Sequence, residues 1–175
     1  MSSHLPINPN LGILFDESKL HEIWLAGGCF WGVDAYLRRI PGVAKTDVGY
    51  ANGNTENPSY QEVCYHNTGH AEAVHLYYNP ETLSLIQLLR EFYHIIDSTS
   101  LNKQGGDTGT QYRTGIYFTD SKDIEAIAEA TEEERKKHKK PVVTEILPLS
   151  NYYVAEDYHQ DYLEKNPNGY CHIHF

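Results

Sequence analysis

The chain has 175 residues, a length that suits one compact domain with a single core. Its formal net charge of -10 at pH 7 argues against a nucleic-acid partner and against binding to an anionic membrane surface. The apolar runs are too short to span a bilayer and no signal-peptide pattern opens the chain, so we expect a cytoplasmic protein, and a monomer.

The N-terminal segment differs in composition from the rest of the chain. Residues 1–20 are polar and rich in proline and asparagine, so we expect a loose arm there. A single domain should follow over residues 21–175, because no internal repeat or low-complexity segment divides them.

The first regular elements meet at a cysteine. Apolar residues over 22–27 predict a strand, and apolar positions at helical spacing predict a helix over 29–40. Cys29 would then lie where the strand turns into the helix, and the unpaired N–H groups and helix dipole there favour a thiolate. Gly27 and Gly28 leave open space above the sulfur. The alternative interpretation is a buried, unreactive core cysteine.

A second strand is predicted over 43–50, and a long irregular segment follows over 51–70. Loops of that length are usually functional or disordered. Within it, Ser59 and Glu62 have the spacing of a capping box, which predicts a short helix beginning at Tyr60.

The next strand carries a carboxylate on an apolar face. Over 71–78 the residues alternate, and Glu72 shares one face with Val74 and Leu76. Burial on that face would raise the pKa of Glu72, whereas a position at the strand edge would leave it in water. Pattern alone leaves both open. The apolar stripe of a second helix follows at Leu85, Leu88, Leu89, Phe92, Ile95 and Ile96.

The C-terminal half alternates short elements with loops. We predict a glycine-rich loop over 97–110, a strand over 111–118, a helix over 121–139, a strand over 143–147 and a short helix over 157–164. In this prediction Tyr112 heads an apolar strand face. The order β-α-β, β-α-β suits a two-layer α+β sandwich with mixed strand directions.

Six short motifs, each present once, are specific in combination. They are Gly28-Cys29-Phe30-Trp31-Gly32, Asn57-Pro58-Ser59-Tyr60, Thr68-Gly69-His70-Ala71-Glu72-Ala73-Val74, Gly109-Thr110-Gln111-Tyr112-Arg113, Ala155-Glu156-Asp157-Tyr158-His159-Gln160 and Asn168-Gly169-Tyr170-Cys171. In these motifs the chain resembles the peptide methionine sulfoxide reductase A family from about His21 onward. The resemblance implies a ferredoxin-like βαββαβ core with long decorating loops, and repair of oxidised proteins by reduction of methionine S-sulfoxide, free or in proteins.

The resemblance also implies roles for individual residues. Cys29 would be the nucleophile and become a sulfenic acid as methionine departs. Glu72 would donate the proton, and Tyr60 and Tyr112 would hydrogen-bond the sulfoxide oxygen. These residue types suit the reaction, because the oxygen of a sulfoxide carries negative charge and must be protonated to leave.

Substrate contacts are implied at three further positions. Phe30 and Trp31 would hold the terminal methyl group of the substrate. Asp107 would bind the substrate backbone or order its loop, although an aspartate in a glycine-rich stretch is also an ordinary turn residue.

The C-terminal residues that carry Cys171 would return the enzyme to its reduced state. Cys171 would attack the sulfenic acid, and thioredoxin or a similar dithiol would reduce the Cys29–Cys171 disulfide, with no bound cofactor. The turn-rich residues 166–169 predict a mobile tail. Many family members have a further cysteine beyond this one, so the resemblance leaves open whether Cys171 alone exchanges with the reductant. We interpret Cys64 as a small buried hydrophobic residue.

Two other functions are compatible with parts of the sequence. Cys29 could serve a thiol hydrolase or acyl transferase, with His70 the nearest candidate base by motif. Cys171, His172 and His174 could ligate zinc, but their spacing supplies no fourth ligand. Three cysteines at wide spacing are otherwise not typical of a disulfide framework or of paired zinc ligands.

Overall fold

The structure is a computed structural model that describes residues 5–175. Within this part the strands are β1 (His21–Gly27), β2 (Val43–Ala51), β3 (Ala71–Tyr78), β4 (Lys103–Gln104), β5 (Asp107–Thr108), β6 (Thr114–Phe118), β7 (Glu145–Pro148) and β8 (Tyr152–Val154). The α-helices are α1 (Phe30–Leu37), α2 (Tyr60–Tyr65), α3 (Leu85–Ile95), α4 (Ile124–Arg135) and α5 (Tyr162–Lys165). Short 3-10 helices lie at Glu17–Lys19, Thr110–Tyr112, Ser121–Asp123 and Asp157–His159.

The main sheet has the strand order β7-β6-β1-β3-β2-β8. Each neighbouring pair among its four central strands is antiparallel, whereas β6 and β7 run parallel. Read along the chain, β1, α1, β2, β3, α3 and β6 form the βαββαβ core of a ferredoxin-like fold. The predicted α+β class, the core and the mixed strand directions are therefore confirmed.

The two faces of the sheet are buried differently. Ile23 and Leu25 of β1 point into the large core against α1 and α3, where Leu88 is fully buried. The alternate residues of β1 point to the opposite face, where Tyr152 packs over a smaller apolar cluster. The helices therefore form one layer, and the segment around β8 covers the other side.

Two predicted elements differ from the structure near the site. The strand predicted over 111–118 begins only at Thr114, because backbone bonds from Tyr112 and Arg113 to Gly109 and Thr110 close a 3-10 turn. Tyr112 therefore lies in that turn and not on a strand face. The first helix spans Phe30–Leu37, which places Cys29 at its N-cap instead of inside it.

Other boundaries also shift. The helix predicted over 121–139 is α-helical only over Ile124–Arg135. It is joined to α3 by an ion pair between Glu133 and Arg90. The helix predicted over 157–164 is divided, because Asp161 has the left-handed φ of 54° between the 3-10 turn and α5. The small β4–β5 hairpin and the edge strand β8 escaped the sequence analysis, because their few residues carry little periodic signal.

The predicted arm has residues 1–4 outside the described part of the chain. In the described part, the Asn10 side chain donates to the carbonyl oxygens of Arg38 and Ile40, and accepts from the Gly42 amide. These bonds attach the arm to the end of α1, and the domain boundary at residue 20 stays a prediction. None of the helices in 5–175 has the length and apolar character needed to cross a bilayer.

The capping box predicted for α2 is confirmed. The Ser59 side chain accepts from the Glu62 amide at 3.2 Å, and the Glu62 carboxylate accepts from the Ser59 amide at 3.0 Å. This cap fixes where the helix begins, and Tyr60 is its first residue.

We predict that Ser59→Ala lowers the free energy of unfolding by about 1 kcal/mol, since the Glu62 amide loses its acceptor. Ser59→Asp keeps an acceptor oxygen and should retain most of that stability. Urea unfolding followed by circular dichroism measures both. Equal losses in the two variants would contradict a capping role.

Candidate active site

Cys29 lies between the end of β1 and the first turn of α1, and only 8% of it is exposed. The turn depends on Gly28, whose φ of +92° is strained for a residue with a side chain. The sulfur therefore sits at the N-terminus of an eight-residue helix, as the sequence predicts.

The ionisation of this thiol differs from the expectation. Burial raises its pKa well above the ordinary value, and the charge of Glu72 raises it further. The backbone amide of Trp31 favours the thiolate but is outweighed by burial. The predicted ready loss of the proton is therefore wrong, because burial favours the thiol.

Glu72 is buried and not a solvated strand-edge carboxylate, because only 1% of it is exposed. Its Oε1 accepts from the backbone amide of Phe30 at 3.2 Å. Its Oε2 is also buried and has no hydrogen-bond partner among residues 5–175. Burial raises the pKa of Glu72 to about 8, with a smaller contribution from Asp107, so the group is a neutral acid near neutral pH.

Two tyrosines converge on this acid from separate segments. Tyr60 begins α2, and Tyr112 ends the 3-10 turn before β6. Burial raises the pKa of both hydroxyls, and the charge of Glu72 raises both further. The hydroxyls therefore stay protonated and can donate hydrogen bonds into the same space as Glu72.

Cys64 lies beside these tyrosines. It is only half-buried, and hydrogen bonds with the hydroxyls of Tyr60 and Tyr112 favour its thiolate, while burial raises its pKa. The interpretation of Cys64 as a small buried hydrophobic residue is therefore wrong, because its sulfur has polar neighbours.

The aromatic residues after Cys29 are held by the segment before α5. The Trp31 ring stacks on Tyr162 at 3.7 Å between centroids, and its Nε1 donates to Nδ1 of His159 at 3.0 Å. Phe30 is buried, with its ring 5.8 Å from that of Tyr50. Both side chains are thus fixed beside the sulfur, as walls of the site.

Sequence reasoning missed two residues that organise these walls. Glu156 accepts from the hydroxyl of Tyr50 at 2.8 Å and from the backbone amide of Tyr60 at 3.0 Å. His159 is buried against Phe30, Trp31 and Tyr60, and burial lowers its pKa, so the ring is neutral. Their motif was part of the family resemblance, but nothing in its spacing indicated these contacts.

Asp107 lies in β5 and accepts a hydrogen bond from the Tyr170 hydroxyl at 3.0 Å. Its negative charge also raises the pKa of Cys29. Asp107 therefore joins the glycine-rich loop to the tail at the rim of the site.

The tail places Cys171 near Cys29. Ionisation of Cys171 would raise the pKa of Cys29, and both cysteines are free thiols. Burial raises the pKa of the Cys171 thiol as well.

The residues of the two rival functions lie elsewhere or are otherwise engaged. Nε2 of His70 donates to the carbonyl oxygen of Thr55 at 2.8 Å, within the long loop. Nε2 of His172 bonds the carbonyl oxygen of Gly27, and His174 is exposed. In the described residues, 5–175, no cluster of three or more histidine, cysteine or acidic side chains is arranged to hold a metal.

Known proteins resemble this chain in sequence and in fold. The family model described as peptide methionine sulfoxide reductase matches residues 21–175. The chain is similar to peptide methionine sulfoxide reductase MsrA of Clostridium botulinum (strain Okra / Type B1), with 58% identity over 155 residues, 89% of this chain and 99% of the relative. The crystal structure of Mxr1 from Saccharomyces cerevisiae in reduced form matches with a TM-score of 0.86 and 38% identity, covering 94% of this chain and 97% of that one. Mxr1 in complex with Trx2 matches with a TM-score of 0.61 and 28% identity, over 87% and 91% of the two chains.

We predict a pH-dependent stability that depends on Glu72. The folded protein keeps the proton on this group up to a pKa of about 8, whereas the unfolded chain loses it near 4.5. Between those values the folded state binds one more proton, so this group makes the free energy of unfolding fall by about 1.4 kcal/mol per pH unit as pH rises. In Glu72→Gln that contribution disappears.

The measurement is urea unfolding of wild type and Glu72→Gln from about pH 5 to about pH 8, the window set by the two pKa values. The stability of the variant relative to wild type should rise steadily across it. Glu125→Gln, at an exposed position of α4, is the matched control and should run parallel to wild type. A Glu72→Gln difference that does not change with pH would refute the buried neutral acid.

Proposed function

The chain belongs to the peptide methionine sulfoxide reductase family, and we propose that Cys29, Glu72, Tyr60, Tyr112 and Cys171 carry its reaction. The protein is thus an oxidoreductase that reduces methionine sulfoxide to methionine. The observation that supports the residue assignment is the buried Oε2 of Glu72, which has no partner among residues 5–175 and lies beside the nucleophile.

In the first step the sulfoxide oxygen occupies the space between the acid and the two tyrosines. The hydroxyls of Tyr60 and Tyr112 donate to the oxygen and polarise the S–O bond. Phe30 and Trp31 enclose the methyl group, and Asp107 contacts the backbone of the substrate. Binding the oxygen in this way requires that the hydroxyls of Tyr60 and Tyr112 stay protonated, as burial ensures.

The chemical step moves two protons and one oxygen atom. The Cys29 sulfur bonds to the sulfoxide sulfur, Glu72 protonates the oxygen, and the thiol proton of Cys29 restores Glu72. The hydroxyl then moves to the Cys29 sulfur as the bond between the two sulfurs and the S–O bond of the substrate break. The oxygen ends on Cys29 as a sulfenic acid, so Cys29 is oxidised by two electrons and the substrate leaves as methionine. This exchange suits a site in which burial keeps both groups neutral at rest, because no isolated charge is formed before the substrate binds.

Cys171 completes the cycle. Its sulfur attacks the sulfenic acid, the Cys29–Cys171 disulfide forms, and water leaves. Thioredoxin or a similar dithiol then reduces the disulfide by thiol exchange, in line with the similarity to the Mxr1 complex with Trx2. The proposed substrate is the S epimer of methionine sulfoxide, free or in proteins. The proposed enzyme is a monomer in the cytoplasm, where such dithiols are available.

We predict that Cys29→Ser abolishes reduction of methionine sulfoxide, because the step oxidises the attacking atom by two electrons, which a thiol sulfur undergoes and a serine hydroxyl oxygen does not. The assay supplies each sulfoxide epimer separately with a dithiol and measures methionine. Cys64→Ser, which removes a thiol but keeps a hydroxyl beside the tyrosines, should keep measurable turnover. Activity of Cys29→Ser within a few-fold of wild type would sink the assignment of the nucleophile.

We predict that Cys171→Ser still reduces one substrate molecule but stops turnover with thioredoxin. Without a second thiol the sulfenic acid persists, so a burst of about one methionine per enzyme should be followed by trapping with a dimedone-type probe. Repeated thioredoxin-supported turnover by this variant would show that Cys64, or direct reduction, resolves the intermediate.

A further inference from the structure

The two glycines that bracket the nucleophile are contact surfaces for the tail. A Cβ built on Gly32 would lie 2.9 Å from Sγ of Cys171 and 3.0 Å from a side-chain carbon of Ile173. A Cβ built on Gly28 would lie 2.6 Å from Cβ of Gln104 and 3.0 Å from Nε2 of His172. The tail therefore fills the space beside Gly32, and it shares the space beside Gly28 with Gln104.

Three further contacts hold this segment in place. Nε2 of His172 donates to the carbonyl oxygen of Gly27 at 3.1 Å, which fixes a proton on that nitrogen because a carbonyl only accepts. The Tyr170 hydroxyl bonds Asp107, and Ile173 is only 6% exposed within the main core. These contacts dock the tail in the structure, in which both cysteines are free thiols.

We propose that His172 is a positioning residue for disulfide formation, which holds Cys171 in a seat formed by Gly32 at the first turn of α1. This inference rests on the proposed function, in which Cys171 resolves the sulfenic acid. In the step itself a bond forms between the sulfurs of Cys171 and Cys29 and the S–O bond of the sulfenic acid breaks. The thiol proton and the departing hydroxide leave as water, so the step needs no outside oxidant or reductant.

Docking matters because the step joins two groups on distant parts of the chain. A thiol that is already seated beside its target reacts with a high effective concentration, and a displacement of about 1 Å can cost on the order of 100-fold in rate. His172 anchors the backbone of the tail to the end of β1, immediately before the nucleophile. Loss of this bond should release Cys171 without altering the groups that reduce the sulfoxide.

The test separates the two half-reactions by rapid quench. One readout is methionine formed in a single turnover, and the other is the Cys29–Cys171 disulfide, measured by peptide mass spectrometry. In His172→Ala we expect the methionine burst at wild-type rate and amplitude, with disulfide formation slowed roughly 10–100-fold. His172→Gln places an N–H donor near the position of Nε2 and should recover to within a few-fold of wild type. His174→Ala is the matched control, since that side chain is exposed, and should form the disulfide as wild type does.

A second variant acts from the other side of the contact and does not depend on the stability of His172→Ala. Gly32→Ala adds a Cβ where Sγ of Cys171 now lies, while alanine favours the helix. The ratio of the disulfide rate to the burst rate should fall in this variant as well.

The outcomes distinguish this inference from the function on which it rests. Disulfide formation at the wild-type rate in His172→Ala or in Gly32→Ala would refute the proposed positioning of Cys171. Failure of His172→Gln to restore the rate of disulfide formation would refute the role of the hydrogen bond to Gly27. If wild type forms no Cys29–Cys171 disulfide after the burst, the proposed role of Cys171 fails instead. If His172→Ala also loses the burst, the residue supports the first step and positioning of Cys171 is refuted.

Discussion

The bond from the Phe30 amide to Oε1 of Glu72 ties the first turn of α1 to the central strand β3. One end of this bond belongs to the residue after Cys29, and the other belongs to the buried carboxyl group of Glu72. Because β1 and β3 are paired neighbours in the sheet, the sulfur and the carboxyl are brought together by the strand order itself. The tyrosines and the tail reach Cys29 and Glu72 from segments outside the βαββαβ core. The place where these segments meet is therefore set by the positions of Cys29 and Glu72.

Burial governs the chemistry of this pair. Water is excluded from both groups, and the neutral forms are favoured in each, so the pKa of the acid rises to about 8 and that of the thiol rises above its ordinary value. A helix N-terminus alone would favour a thiolate, and here the backbone amide of Trp31 contributes in that direction. Because the effect of burial is larger, the proposed reaction begins from two neutral groups, and charge moves only when a sulfoxide oxygen can take the proton.

Hydrogen bonds and packing contacts join the loops around the site. Glu156 joins the start of α2 to the segment before α5, and His159 holds the indole of Trp31. The tail rests on the glycines of the nucleophile motif in the same manner. The site is thus assembled from separate segments of the chain that hydrogen bonds to buried groups join.

The sequence by itself determined the local features: the strand-to-helix turn at Cys29, the capping box at Ser59 and the apolar face that carries Glu72. Each depends on residues within a few positions of one another, so periodicity and turn chemistry are sufficient to predict it. The residue motifs also pointed to the family. Only the tertiary structure decided that the Cys29 thiol stays protonated, that Tyr112 lies in a 3-10 turn and that the tail of Cys171 is docked. These properties arise from burial and from contacts between residues far apart in the chain, which no local pattern contains.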